Sequence, residues 1–516
     1  MRTRRAWLLF SLLSGASARA TTYSGDPSNY LTLLASLQPG DTLQLAGGTY
    51  TGLLQIDGLN GNPCEWITIE GPSSGTPATF PANSCCNTAE LTNASYLALV
   101  NLTFDGQHQA GPFAVSAKGG SANLVHDIRI EGCTILNHDG EQQTVGISTK
   151  APTWGWVIRG NTIDSVGTGL YLGNSDGSDP FVAGLIEDNL VENPIGYDME
   201  IKQQNPWPAV PGLPPGPHAT LIRHNVFMKN DQPSPDGDRP NVLTDNYPAC
   251  GAGSLDRYEI YGNFFFHNPR ESLLQLSGNF TVHDNLFVDD TGRDAIAVQN
   301  HAASPVIQAW IYDNTFYSVT NGIVFHDAAS SGDGVVGNLV FSPNPIQGAI
   351  VDQRDNVVDQ VGDAGLYVAA PSLTLGAMDF HPLAGQAVGP AMDMSKFAAD
   401  TDEELDLDGV SRGSFTARGA YASAGPGWRP SAALEPEALA DGGACAGFDG
   451  GQLSEPVPGN CDGGTAADAG RGPSDAGPGA DAGSTHDAGT TAGLDTACVK
   501  EVRPAPFFLS FSGSAP

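Results

Sequence analysis

The sequence predicts an all-β protein, a single chain wound as a parallel β-helix with caps at both ends and a disordered acidic tail. Three observations carry this. Gly 64 and Pro 37 are abundant while charged residues make up 16% of the chain, a balance that suits many short strands joined by turns. At 516 residues the chain exceeds one ordinary compact core. It is also self-similar: VNLTF (100–104), EGCTI (131–135), RGNTI (159–163), EDNLV (187–191), RHNVF (223–227), YGNFF (261–265), HDNLF (283–287), YDNTF (312–316) and VGNLV (336–340) align at intervals of about 22 to 38 residues.

The repeat unit is clearest in LIEDNLVENPIGYDMEIK (185–202). A short apolar strand turns at Asn189 and buries Val191. The chain then breaks at Pro194–Gly196 and enters a second strand, Met199–Ile201, whose outward positions carry Glu200 and Lys202. The register position holds Leu102, Cys133, Asn161, Asn189, Asn225, Asn263, Asn285, Asn314 and Asn338. An apolar residue stands three before it (Ile158, Ile186, Ile222, Ile260, Val282, Ile311) and another two after (Ile163, Val191, Phe227, Phe265, Phe287, Phe316). One coil cannot bury its own apolar face, but stacked coils share a continuous column. The asparagines tolerate left-handed turns and can bond to the coils above and below, so they are scaffold.

At the start, MRTRRAWLLFSLLSGASARA has an Arg-rich head, a short apolar run and Ala18–Arg19–Ala20, the plan of a secretory signal over residues 1–20. A secreted or cell-surface protein is expected, and the apolar run is too short to span a bilayer. The stretch YLTLLASLQPGDTLQLAGGTY reads as a helix over Tyr30–Leu37 and a strand over Thr42–Leu45, a cap for the open stack. The β-helix with its caps is expected over 21–422. Residues 423–497 are Ala/Gly/Asp-rich with almost no apolar mass and read as a flexible linker, followed by a short segment, 498–516. Of the eight cysteines, Cys445 with Cys461 and Cys64 with Cys85 or Cys86 are candidate pairs, and Cys133 reads as a buried thiol. The formal charge of −34 argues against nucleic acid and anionic membrane as partners. A monomer is expected.

Alternate side chains of a strand point outward. The second strand of each unit therefore gives one outward column of Ser116, Ser148, Tyr171, Glu200, Leu243, Gln275, Ala297 and Val324. The next column is Lys118, Lys150, Gly173, Lys202, Asp245, Ser277, Gln299 and His326. Three lysines in one column make a basic track suited to an acidic polysaccharide. The long insertions 203–218 and 229–256 flank Lys202 and bring Trp207 and Tyr247, aromatics suited to stacking on sugar rings. Gln275 and His326 lie further along the columns as polar contacts, and His301 and His326 are lesser acid–base candidates.

The opening PGDTLQLAGGTY, the repeats, and the closing DFHPLAGQAVGPAMD, Asp406–Leu407–Asp408–Gly409, Arg412 and Gly419–Ala420–Tyr421 resemble right-handed parallel β-helix proteins of the pectate-lyase-like superfamily, over roughly residues 22–422. YDMEIKQQ resembles the strand-face element of polysaccharide lyases of the chondroitinase B and alginate lyase kind. That resemblance implies β-elimination on a uronate polymer, with Lys202 as base and Arg239 as the arginine on offer. Asp198, Glu200 and Asp245 are then implied ligands of Ca2+, which would acidify the proton beside the uronate carboxylate. It also implies a strand-and-turn cap at the C-terminus. Two other readings stand beside it: a glycosidase using two of Asp198, Glu200, Asp245, Asp289 and Asp290, and a non-catalytic surface module. The NTD, GHG and RIK elements of polygalacturonases are absent from the sequence.

Overall fold

The computed structural model describes residues 20–118, 124–206, 212, 213, 216–248, 251–301, 305–425 and 427–434. Residues 1–19 of the expected signal segment, Trp207, Cys445, Cys461 and nearly all of the acidic tail lie outside these residues. Each coil carries three strands rather than the two expected, because the turn at Asn189 divides the first apolar run into Leu185–Glu187 and Leu190–Glu192 before Met199–Ile201. Successive coils stack these strands into three parallel sheets of 15, 12 and 11 strands, here called first, second and third in chain order. The result is a right-handed parallel β-helix.

The repeat's apolar positions form the interior. In the first sheet Ile158 pairs with Ile186, Ile186 with Ile222, and Ile222 with Ile260, all without solvent exposure. In the second sheet the rings of Phe265, Phe287 and Phe316 stack at centroid spacings of 4.6 and 4.7 Å, nearly parallel. Each such side chain contributes about 1.5–3 kcal/mol by leaving water, and only a neighbouring coil can cover it.

The polar ladder follows the aligned asparagines. Asn189 Nδ2 donates to Asn225 Oδ1 at 2.9 Å, to the Ile158 carbonyl one coil back and to its own Glu187 carbonyl, while Asn189 N–H also donates to Asn225 Oδ1. The same cross-coil bonds recur from Asn161 onward and end one coil beyond the aligned repeats, at Asn356. The left-handed conformation belongs to the residue before each asparagine: φ is 54° at Asp188, 53° at His224 and Asp284, and 51° at Asp313. The asparagine then points into the stack, and the left-handed position takes Asp, His or Gly, the types that tolerate it.

The N-terminal helix is shorter than expected, Tyr30–Leu34, and packs Tyr30 edge-on against Tyr50. The C-terminal segment does not simply close the end. After an antiparallel pair, Val368–Ala370 with Asp379–Pro382, it runs back along the flank where the ladder turns lie. There Arg412 is buried and ion-paired to Asp284 and Asp313, Asp400 meets Arg257 at 3.0 Å, and Asp402 accepts from Tyr261 at 3.0 Å. Cys133 is a buried free thiol, pushed up to about 12 by burial. Cys85 and Cys86 bond to each other, so neither pairs with Cys64.

Replacing Asn225 by Ala removes the acceptor of Asn189 and the donor to the buried Ile186 and Arg223 carbonyls. It should destabilise the protein by about 2–3 kcal/mol, read as a lowered midpoint of urea unfolding.

Candidate functional site

The two outward columns of the third sheet stand in the expected register. Ser116, Ser148, Tyr171, Glu200, Leu243, Gln275, Ala297 and Val324 are successive pairing partners. The lysine column follows from the next hydrogen bonds, Lys150 N–H to the Ala117 carbonyl and Lys202 N–H to the Leu172 carbonyl. Tyr171 lies between two ammonium groups, Lys150 Nζ at 5.3 Å and Lys202 Nζ at 5.6 Å from its ring centre. Such contacts hold cations at a face without neutralising them. Lys118, at the far end, pairs with Glu90 at 3.0 Å.

Lys202 Nζ donates to Glu200 Oε1 at 2.7 Å. Its side chain keeps 14% of its surface exposed and that of Glu200 only 4%, so the ammonium is the part that meets solvent. One coil further, Asp245 is buried. Its Oδ2 lies 2.7 Å from His301 Nδ1, and its Oδ1 accepts from Asn246 N–H and Ser277 Oγ. This pairing fixes the imidazole with Nδ1 as donor and leaves Nε2 for chemistry. The Asp245 hydrogen bond raises the proton affinity of His301, against the opposing effect of burial; Lys202 lowers it and Glu200 raises it, which places all four groups in one electrostatic neighbourhood.

Arg239 comes from a loop and reaches the ring of Tyr197. Ser234 Oγ donates to the Ile195 carbonyl, and Gln142 exchanges hydrogen bonds with Asp236 and Gly237, so the loop arches back to the coil of Val145–Thr149. The Arg239 guanidinium lies 5.7 Å from the Tyr197 ring and is held by the Asp236 and Asp238 carbonyls. Burial first, and the Glu200 charge next, raise the Tyr197 phenol well above its ordinary value, so it keeps its proton. The sequence assigns Tyr197 no role and gives His301, with His326, only a lesser acid–base role. The signal available was its place just past a strand end, in reach of the Asp245 column.

Several expected residues lie elsewhere. Asp198 is wholly buried, its carboxylate oxygens without a hydrogen-bond partner. Burial raises its proton affinity well above the usual range, and the buried Lys229 acts against this. Tyr247 is fully buried and stacked on Tyr258 at 4.5 Å, a core residue and not a sugar platform. Gln275 faces outward but is 8% exposed between Leu243 and Ala297. His326 pairs with Asp294 at 2.9 Å, four coils from Lys202, about 19 Å away at ~4.8 Å per coil. The set Asp198, Glu200 and Asp245 does not fit Ca2+: the first is interior, the second holds Lys202, the third holds His301 and Ser277. In the C-terminal DxDG run, Asp406 accepts backbone N–H groups of Asp408, Val410 and Ala422, so it too is committed. Among the described residues, no helix is long and apolar enough to cross a membrane.

A family model described as a right handed beta helix region matches residues 145–361. No curated protein sequence matches. Among solved structures the chain is similar to a variant of the PL6 family alginate lyase AlyGC, at 14% identity and a TM-score of 0.45, over 70% of this chain and 55% of that one. It is similar to the A-module of the mannuronan C-5 epimerase AlgE4 from Azotobacter vinelandii, at 14% identity and a TM-score of 0.41, over 64% of this chain and 92% of that one. It is also similar to the GH136 lacto-N-biosidase from Eubacterium ramulus, at 13% identity and a TM-score of 0.37, over 66% and 68%. The chain thus spans a little over half the length of the alginate lyase.

A histidine whose folded proton affinity is raised contributes stability that is complete below its unfolded value of about 6.5 and lost as pH rises through its folded value. His301 should therefore titrate above ~6.5 in NMR. Asp245→Asn should lower that value, and should destabilise the protein more at pH ~5.5 than at pH ~8.5.

Proposed function

We propose that this protein cleaves an acidic, uronate-containing polysaccharide by β-elimination on the outward face of its third sheet. The observation that carries this reading is the oriented His301–Asp245 pair within electrostatic reach of Lys202 on that face, with Arg239 against the ring of Tyr197 beside it.

The uronate carboxylate would be met by the Lys202 ammonium and the Arg239 guanidinium, which make the neighbouring C5 proton more acidic. His301 Nε2 is the base suited to take that proton, with Asp245 stabilising the imidazolium that forms. The electron pair left at C5 forms the C4–C5 double bond as the C4–O4 bond breaks. The Tyr197 phenol, held protonated by burial, would donate to the leaving oxygen. The sequence suggested Lys202 as the base, but Lys202 shares its proton with Glu200 and suits charge neutralisation better. Lys150 and Tyr171 extend the face towards further sugar units, with Lys118 at its end. Hydrolysis by two carboxylates is less well supported, since Glu200 and Asp245 are each paired to a cationic or protonatable partner. Secretion, suggested by the N-terminal segment, would bring the protein to such polymers.

Incubation with alginate, pectate and glycosaminoglycans, followed by absorbance of the unsaturated product, tests the proposal. His301→Gln should lower kcat/KM by about 10²–10⁴-fold and Lys202→Ala by at least ~10²-fold, while Lys118→Ala should mainly raise KM. Because His301 must be unprotonated, the rate should rise with pH through a value above ~6.5, and Asp245→Asn should move that limb to lower pH. Reducing ends without the unsaturated product would point to hydrolysis, and saturable binding without either product to a binding module; both would overturn the proposal.

A further inference from the structure

The loop that carries Arg239 is closed at its neck by two buried donors. It leaves the second-sheet strand Val226–Met228 at Lys229 and rejoins the third sheet at Asn241, just before Val242–Thr244. Lys229 Nζ donates to the Arg239 carbonyl at 3.1 Å. Asn268 Nδ2 donates to the same oxygen at 2.9 Å and to Asn241 Oδ1 at 2.8 Å. Both donor side chains are buried. At the tip, φ is 107° at Gly237, and a Cβ there would lie 2.8 Å from Arg239 Nη1. Glycine thus lets the backbone wrap the guanidinium, which donates to the Asp236 and Asp238 carbonyls.

A lysine is a costly way to meet a carbonyl that Asn268 already meets, because a buried ammonium needs counter-charge. Here the counter-charge is the wholly buried Asp198. Burial lowers the proton affinity of Lys229; Asp198 first, then Asp238, raises it, Arg239 lowers it and Glu271 raises it. Asp198 follows Tyr197 in the chain, and its N–H donates to the Asn241 carbonyl at 2.8 Å. One ammonium therefore links the end of a second-sheet strand, the backbone of Arg239 and the acid next to Tyr197.

We propose that Lys229 is a positioning residue: its buried ammonium, paired in charge with Asp198, fixes the Arg239 backbone so that the guanidinium stands against the ring of Tyr197. The catalytic consequence rests on the proposed β-elimination, but the positioning is a property of the free protein. A guanidinium already oriented loses less freedom when an anionic substrate binds, so its contribution depends on this clasp.

NMR of protein labelled with 15N-arginine tests the positioning without substrate. The Arg239 Nε–H cross-peak, identified by its loss in Arg239→Lys, should be set apart in wild type and should move to the position of exposed arginines in Lys229→Met. That variant leaves a buried carboxylate without its cation, so Lys229→Met combined with Asp198→Asn removes both charges and should give the same movement. Circular dichroism checks that each variant is folded. An unchanged cross-peak in either folded variant would overturn the inference. In elimination assays Lys229→Met should lower kcat/KM by roughly 10–100-fold, mainly through KM, and by nothing further in an Arg239→Ala background. An equal loss in both backgrounds would also overturn it. Absence of elimination by wild type would refute the proposed function instead, and the cross-peak alone would then decide the role of Lys229.

Discussion

A coil of this protein has no inside of its own. Ile222 and Phe227 are buried only because Ile186 and Val191 lie beneath them and Ile260 and Phe265 above. Vertical stacking is therefore the constraint on which everything else depends, and the asparagine ladder holds it in register. Each ladder amide meets two coils at once, so a slip of one coil leaves buried donors and carbonyls unmatched. The demand for a left-handed residue before each asparagine fixes the corner as well. The same corner carries Asp284 and Asp313, on which the returning C-terminal segment docks through Arg412.

A scaffold of this kind divides the work between strands and connections. The strands give fixed outward columns, and these supply Tyr171, Glu200, Lys202 and Asp245 at spacings the ladder sets. The connections are free to vary, and they bring the remaining groups: Tyr197 from the turn before Met199–Ile201, Arg239 from the arching loop, His301 from the residues after Asp294–Val298. Asp245 is where the two meet, because a strand-end carboxylate buried beneath His301 orients an imidazole that no strand position could present.

What could be read in the sequence is what repeats. Periodic Ile, Phe and Asn positions are repeated many times, so one irregular unit does not mislead, and the outward columns follow from alternation. Asp198 was misplaced because it stands in the turn before Met199, where alternation has not begun. Tyr247 was misplaced because an aromatic in a long insertion reads as exposed, yet Tyr258 offers it a buried face to stack on. Arg239 stands out of the register of the columns, since no register governs a loop that crosses three coils. The C-terminal segment read as a cap because its Asp and Arg residues gave no hint that their partners lie at coil corners more than a hundred residues back.

The strong negative charge of the chain bears on the site in a particular way. At physiological ionic strength charges further than about 8–10 Å are largely screened, so an approaching anionic chain feels the surface it touches and not the formal charge of the molecule. On the third sheet that surface is made by Lys150, Tyr171 and Lys202, where an aromatic ring spaces two ammonium groups and Glu200 meets only one of them. Elsewhere, acids are absorbed into the framework: Glu187 is shared by Arg159 and Arg223, and Asp284 and Asp313 by Arg412. Arg159, Arg223 and Arg412 are thus committed to holding corners together. On the third sheet, by contrast, two ammonium groups share the face of one ring, and His301 is oriented within the electrostatic reach of one of them, Lys202.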